Sequence, residues 1–446
     1  MPVKRKKSAK RRKSAANTAD SRLPSTYEKN TTNKGDFGIQ IDRFVTQVES
    51  LAKAMKMTQS TVAEASRKAI TSFTHFLKQR GAKTSGKGEA TSVSLKTGDL
   101  ASFTRNLKDL TGALLAVRNV PRIFFCSLVH EYDAFLGRIL QTAFYARPDL
   151  LNASQKQLSF ADLIAFPSLE AAREAILGKE IEAVIRDSHV AQIQWMERRF
   201  GLELRKDIPA WCTFVELTER RNLFVHCGGS VSAQYLSVCR EQGVAIDPMM
   251  KLGDELDVSQ EYFEKAVDCI LEIGVKLSHV LWRKLKPDAL KEADKSLHLT
   301  AYEFLVDERY ALAKVLLLFA VNTLKKHSSD EIRRMNLINL AIAYYFTGEK
   351  KAAREVISSQ DWSASRDKFQ LAAAILCDRY KDASAIMKRI GTNGEVTREA
   401  YASWPLFRKF RQSRYFSVTY RSMFGEKYIV PEIGVASAYP EPPQDN

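Results

Sequence analysis

The stretch TERRNLFVHCGGSVSAQYL, Thr218–Leu236, sets two arginines, an asparagine, three apolar residues, a histidine and a glycine pair in close succession. Read with the residues before it, as WCTFVELTERRNLFVH, it has the apolar spacing of a helix that Gly228 and Gly229 stop. At 100° per residue, Glu219, Asn222 and His226 share one face. Arg221 falls with Phe214, Leu217 and Val225, about 140° round from His226. A helix end alone accounts for a histidine favoured by the dipole and a glycine stop. A chemical centre needs more: Arg221 and His226 must reach one reacting group.

The surrounding periodicity is helical almost throughout. Ile39, Ile41, Phe44, Val45, Val48, Leu51 and Met55, and then Val62, Ala65, Ala69, Phe73, Phe76 and Leu77, predict two helices over 38–80, stopped by Gly81. GAKTSGKGEATS (81–92) reads as a linker. Helical spacing resumes at Leu100, and Phe124, Leu128, Tyr132, Phe135, Leu136 and Ile139 make a long apolar face. Ser168 to Gly201 forms another helical stretch, and SQEYFEKAVDCILEIGVKLSHVLWRKL follows the Thr218–Leu236 region. With no alternating strand and no Gly-rich phosphate loop, the expected fold class is all-α.

The C-terminal third changes character. NLINLAIAYYFTGEKKAAREVI (336–357) places Leu340, Ala341, Tyr344, Gly348 and Ala353 at the spacing of a tetratricopeptide-like helical hairpin. LAAAILCDRYKDASAIMKRIG (371–391) reads as a degenerate copy, with Ala383 thirty residues after Ala353, and ALAKVLLLFAV (311–321) as an earlier one. WPLFRKFRQSRYFSVTYRSMFG mixes aromatic and basic residues. A capping helix with a solvated basic face accounts for it better than a base-stacking surface does. The expected organisation is a disordered basic arm over 1–35, an N-terminal helical hairpin and linker over 36–98, a helical bundle over 99–290 and a repeat domain over 291–446.

Charge is concentrated at one end. Residues 1–34 carry eleven Lys and Arg against Asp20 and Glu28, so +9 of the net +16 lies there. Lys4, Arg5, Lys6, Lys7, Lys10, Arg11, Arg12 and Lys13 are the expected contacts to RNA phosphates. The same cluster would serve nuclear import in a eukaryote; otherwise a cytoplasmic location is expected. The cysteines Cys126, Cys212, Cys227, Cys239, Cys269 and Cys377 are scattered, without a CxxC pair, and read as free thiols. No metal-ligand spacing and no cofactor motif is found, and no run of about 18 apolar residues suggests a membrane span.

Arg221, Asn222, the apolar Leu223–Val225 and His226, with a glycine pair directly after, resemble the R-N-x-x-x-H signature of HEPN domains, the higher eukaryotes and prokaryotes nucleotide-binding family. The likeness covers about residues 120–285: a helix of the type SLVHEYDAFLGRIL, a helical insert, the motif helix and GGSVSAQYL. It implies a dimer in which paired motif helices build a shared cleft, and metal-independent RNA cleavage by attack of the 2′-OH on its own phosphate. His226 would then move the proton. Arg221 would hold the phosphate, and Asn222 would orient the histidine or the scissile group. Family members also carry a polar or acidic residue on the SLVHEYDAFLGRIL helix, here Glu131 or Asp133, and Glu219 shares the Asn222–His226 face. If the stretch is a helix end alone, Arg220 and Arg221 are expected to pair with Glu216 and Glu219 on a solvated face. Toxin or anti-virus defence is the implied setting, with a protein partner on the C-terminal repeats. The competing readings are a non-catalytic adaptor that dimerises through the bundle, and a nucleic-acid scaffold that uses the tail and the basic aromatic C-terminus.

Overall fold

The computed structural model describes residues 36–81, 83–85, 92–94, 96–153, 158–205 and 208–429. The basic cluster Lys4–Lys13 lies outside them. Within them the protein is all-α, with one small strand pair. Asp36 caps α1 (Phe37–Gln79), its carboxylate accepting from the Ile39 amide at 3.2 Å. This single helix replaces the two expected over 38–80. The polar run near Met57–Thr61 contains neither Gly nor Pro, so nothing breaks the backbone ladder there. β1 (Lys83–Ser85) pairs antiparallel with β2 (Ser92–Ser94) inside the expected linker. α2 (Leu100–Ala146) then returns along α1.

α3 (Phe160–Ile164), α4 (Leu169–Arg186) and α5 (His189–Phe200) form the helical insert. Ser168 and Ser188 cap α4 and α5, and Gly201 ends α5 in the left-handed conformation. α6 (Trp211–His226) is the motif helix, α7 (Ala233–Glu241) follows the glycine pair, and α8 (Gln260–Leu285) runs through the centre. The crossing of α1, α2 and α8 is close. Phe44 stacks on Phe135 at 4.0 Å, and a Cβ at Gly274 would lie 2.4 Å from the Phe44 ring, so only glycine fits there.

Three helix pairs follow: α9 (Leu290–Val306) with α10 (Tyr310–Leu318), α11 (Asp330–Phe346) with α12 (Lys350–Ser358), and α13 (Asp367–Leu376) with α14 (Tyr380–Ile390). The first helices of the pairs pack on one another in series. Each pair turns through one residue of positive φ: Glu308 at 62°, Gly348 at 88° and Asp378 at 57°. In each turn the next amide donates back five residues, Arg309 to Phe304, Glu349 to Tyr344 and Arg379 to Ala374. Ala313, Ala353 and Ala383 stand at the same place after each turn and are fully buried. The clear copy and the two poorer ones thus share one hairpin geometry. α15 (Arg398–Ser403), α16 (Phe407–Phe410) and α17 (Arg414–Phe424) close the end. Trp404, Phe407, Phe410, Phe416 and Tyr420 are buried, so these aromatics fill core and do not form a base-stacking surface. One apolar core runs from Phe37 to Tyr420 and joins the bundle to the repeats.

Thr97–Ala146 is long and apolar enough to cross a membrane by length and composition. The sequence showed no such unbroken run because charged residues such as Arg105, Lys108, Arg118 and Arg122, together with Pro121, interrupt it.

His279 on α8 is fully buried, has no hydrogen-bond partner on either ring nitrogen and stacks on Trp282 at 5.8 Å. Burial pushes its pKa down to about 3 from 6.5. The folded state therefore resists a proton that the unfolded chain accepts below 6.5. The stability that the neutral ring permits is full above pH 6.5 and is lost as pH falls toward 3, at about 1.4 kcal/mol per unit. Urea unfolding at pH 6.5 and 5 should show this loss, and His279→Phe should flatten it.

Candidate active site

α2 and α6 lie side by side in opposite directions. Asp133 meets Arg221 near the middle of α6, while Phe125 and Arg122 meet Phe224 a turn later. The end of α6 is held firmly. The Arg122 guanidinium donates to the Gly228 carbonyl at 3.2 Å, the Leu256 carbonyl at 2.6 Å and the Asp257 carboxylate at 2.9 Å, and covers the Phe224 ring. Gly228 takes φ +62° and Gly229 φ +94°, and a Cβ at Gly229 would lie 3.1 Å from the Phe224 ring. The glycine pair is thus required by backbone conformation and by close approach, beyond merely stopping the helix. Leu223, Val231, Tyr235, Leu236 and Cys239 make a small separate core beneath the turn.

Asp133 is the acidic residue on α2 that joins the motif. Its carboxylate accepts from Arg221 Nη2 at 3.0 Å and lies 2.8 Å from His189 Nε2. Glu131 makes no hydrogen bond or ion pair with Arg221, and its charge acts on Arg138. Arg221 is about one fifth exposed, and its Nε is buried without a partner in the chain. Glu219 is buried; burial pushes its carboxyl up, opposed by His189, Arg221 and the Asn222 amide, which donates to it at 3.5 Å. Burial also raises the Cys126 thiol, with the nearby Arg221 charge acting against it. Arg221, Asn222, Glu219, Asp133 and His189 therefore form one polar cluster between α2, α5 and α6. His189 was not found by sequence reasoning. It stands at the first turn of α5, packed against Tyr132 and Phe214, and no local pattern marks it.

His226 is not in that cluster. It is exposed in the last turn of α6, and no hydrogen bond or ion pair joins it to Arg221, Asn222 or another described residue. The 140° offset read from helix geometry is retained in the folded chain. Val225, next to it in the chain, is 55% exposed, and Ile123, next to Arg122 on α2, is 61% exposed.

Arg220 is not on a solvated face. It does pair with Glu216, at 2.7 Å, but both side chains are mostly buried, and the guanidinium lies 4.0 Å from the Tyr262 ring centre. Glu216 also accepts from Tyr235 at 2.7 Å and Tyr262 at 2.6 Å. This cluster ties α6 to α7 and α8. Burial is the first cause that lifts both phenols, and the Glu216 charge adds to it. Among the described residues, no group of three or more His, Cys, Asp or Glu is placed to hold a metal ion. No protein-family model matches the chain, and no curated protein or solved structure is significantly similar to it.

Proposed function

We propose that the protein is a HEPN-type endoribonuclease whose active site is completed by a second copy. The observation that carries this reading is the Asp133–Arg221 pair beside an exposed, unpartnered His226. The carboxylate fixes the guanidinium at the edge of the α2–α6 face, so it is oriented before RNA arrives. His226 stands free to move protons but points away from its own Arg221. A two-fold axis along this face sets the histidine of one chain near the arginine of the other. Exposed Val225 and Ile123 supply apolar surface for that contact.

In the composite cleft, His226 takes the proton from the 2′-OH, or delivers one to the departing 5′ oxygen. Arg221 neutralises the charge gathering on the phosphate oxygens, and the Asn222 amide beside it helps to orient the scissile group. The products are a 2′,3′-cyclic phosphate and a 5′-OH. No oxidant or second substrate is needed. The repeats over 291–446, read as tetratricopeptide-like, would bring a protein partner, and a toxin or defence effector is the proposed setting.

The experiment is cleavage of RNA by purified protein with and without EDTA, together with light scattering. Cutting that survives EDTA and leaves cyclic-phosphate ends is expected from a particle of about 100 kDa, twice the 50.4 kDa chain mass. Val225→Asp combined with Ile123→Asp should give monomers and lose cleavage together. A monomer that still cuts at dilute concentration would overturn the composite site. The adaptor reading is favoured by a different observation, the exposed leucines of α2.

A further inference from the structure

Beyond Met55, α1 has only Ser66 buried, and α2 has no buried residue before Pro121. These halves pack mainly on each other, as in the Phe73–Phe103 contact at 5.8 Å. They form a two-helix arm outside the main core.

The arm carries apolar residues that α1 does not cover. Leu100, Leu107 and Leu114 are 60%, 41% and 48% exposed, and Leu115 beside them is 49% exposed. Successive leucines are seven residues apart, with exposed Thr104 and Thr111 at the intervening fourth places. That is the a/d spacing by which one helix receives the knobs of another.

Charge decides what fits. Among the described arm residues, Lys56, Arg67, Lys78, Lys96, Arg105 and Lys108 are exposed and carry no ion pair. Asp109 is the one carboxylate there without a cation, because Glu64 holds Lys68 and Asp99 holds Arg80. Two copies of so basic an arm repel each other. Aliphatic leucines offer bases no stacking platform. A lipid surface does not require seven-residue spacing.

We propose that the arm docks an acidic amphipathic helix of another protein, whose apolar seam packs on Leu100, Leu107 and Leu114 while its carboxylates are drawn by the arm's free cations, among which Lys108 follows Leu107 directly on α2. The inference does not depend on the ribonuclease reading. Specificity then comes from the charged flanks and affinity from the leucines.

The test uses full-length protein and two labelled synthetic peptides of about four leucine heptads, one with glutamate and one with lysine at the flanking positions. Fluorescence anisotropy should show binding of the glutamate peptide, with the lysine peptide weaker by about tenfold or more. Leu107→Asp with Leu114→Asp should weaken the glutamate peptide by about tenfold or more. Both leucines are half exposed, so circular dichroism and melting of this variant should match the wild type. Failure of the glutamate peptide to bind, equal binding of the two peptides, or an unaffected variant overturns the proposal. A wild-type dimer that the variant dissolves would make a second copy the occupant. Loss of co-sedimentation with phosphatidylglycerol–phosphatidylcholine vesicles in the variant, without peptide binding, would make it a lipid surface.

Discussion

His226→Ala is expected to slow RNA cleavage by about 10²–10⁴-fold, the range for loss of a general acid or base, with the melting temperature unchanged. The unchanged stability follows from the exposed, unpartnered imidazole. Arg221→Lys should lose a comparable factor, because one ammonium cannot both hold Asp133 and present a planar fork to a phosphate. Lysine is the better probe than alanine here, since it keeps a cation beside the half-buried Asp133. Asp133→Asn should show a smaller rate loss, since the guanidinium remains but loses its charged anchor. Mixing inactive His226→Ala chains with inactive Arg221→Lys chains gives the decisive measurement. If each cleft draws arginine from one chain and histidine from the other, mixed dimers regain one intact cleft. If every variant cuts RNA like the wild type, the motif is only a helix end, and the adaptor reading stands.

Glu216→Ala is expected to destabilise the protein by about 3–5 kcal/mol in urea unfolding, the cost of breaking a buried ion pair from one side. Removing the carboxylate strands the Arg220 charge and two phenol donors, Tyr235 and Tyr262, within the α6–α7–α8 junction. Glu216→Gln should lose less, because its amide oxygen still accepts. The same geometry alters the role of Arg220. Beside Arg221 in sequence, it invites use as a control for a catalytic arginine. Arg220→Ala should instead lower stability, and any loss of activity should follow the fraction folded. A change near the wild-type urea midpoint in Glu216→Ala would show that the cluster contributes little.

The amino-acid sequence alone determined the helical character, the ends of the motif helix and its turn at Gly228 and Gly229. These depend on neighbours within one or two turns, where apolar spacing, serine caps and glycine stops act directly. It also showed Gly348 and the alanine spacing of the repeats. It did not show that Glu308 and Asp378 adopt the same positive φ, because neither is a glycine. The length of α1 was missed for a related reason: a polar run without Gly or Pro looks like a gap but remains helical when α2 covers its other face. The motif residues were legible as Arg221, Asn222 and His226, and so was their angular mismatch. Their partners were not. Asp133 meets Arg221 across 88 residues and His189 across 56, and Glu216 holds tyrosines from two other helices. Such pairs are set by which helix faces pack together, so a short motif cannot specify them. Only the tertiary structure decided that Arg221 is anchored, that Arg220 is buried and that His226 is free.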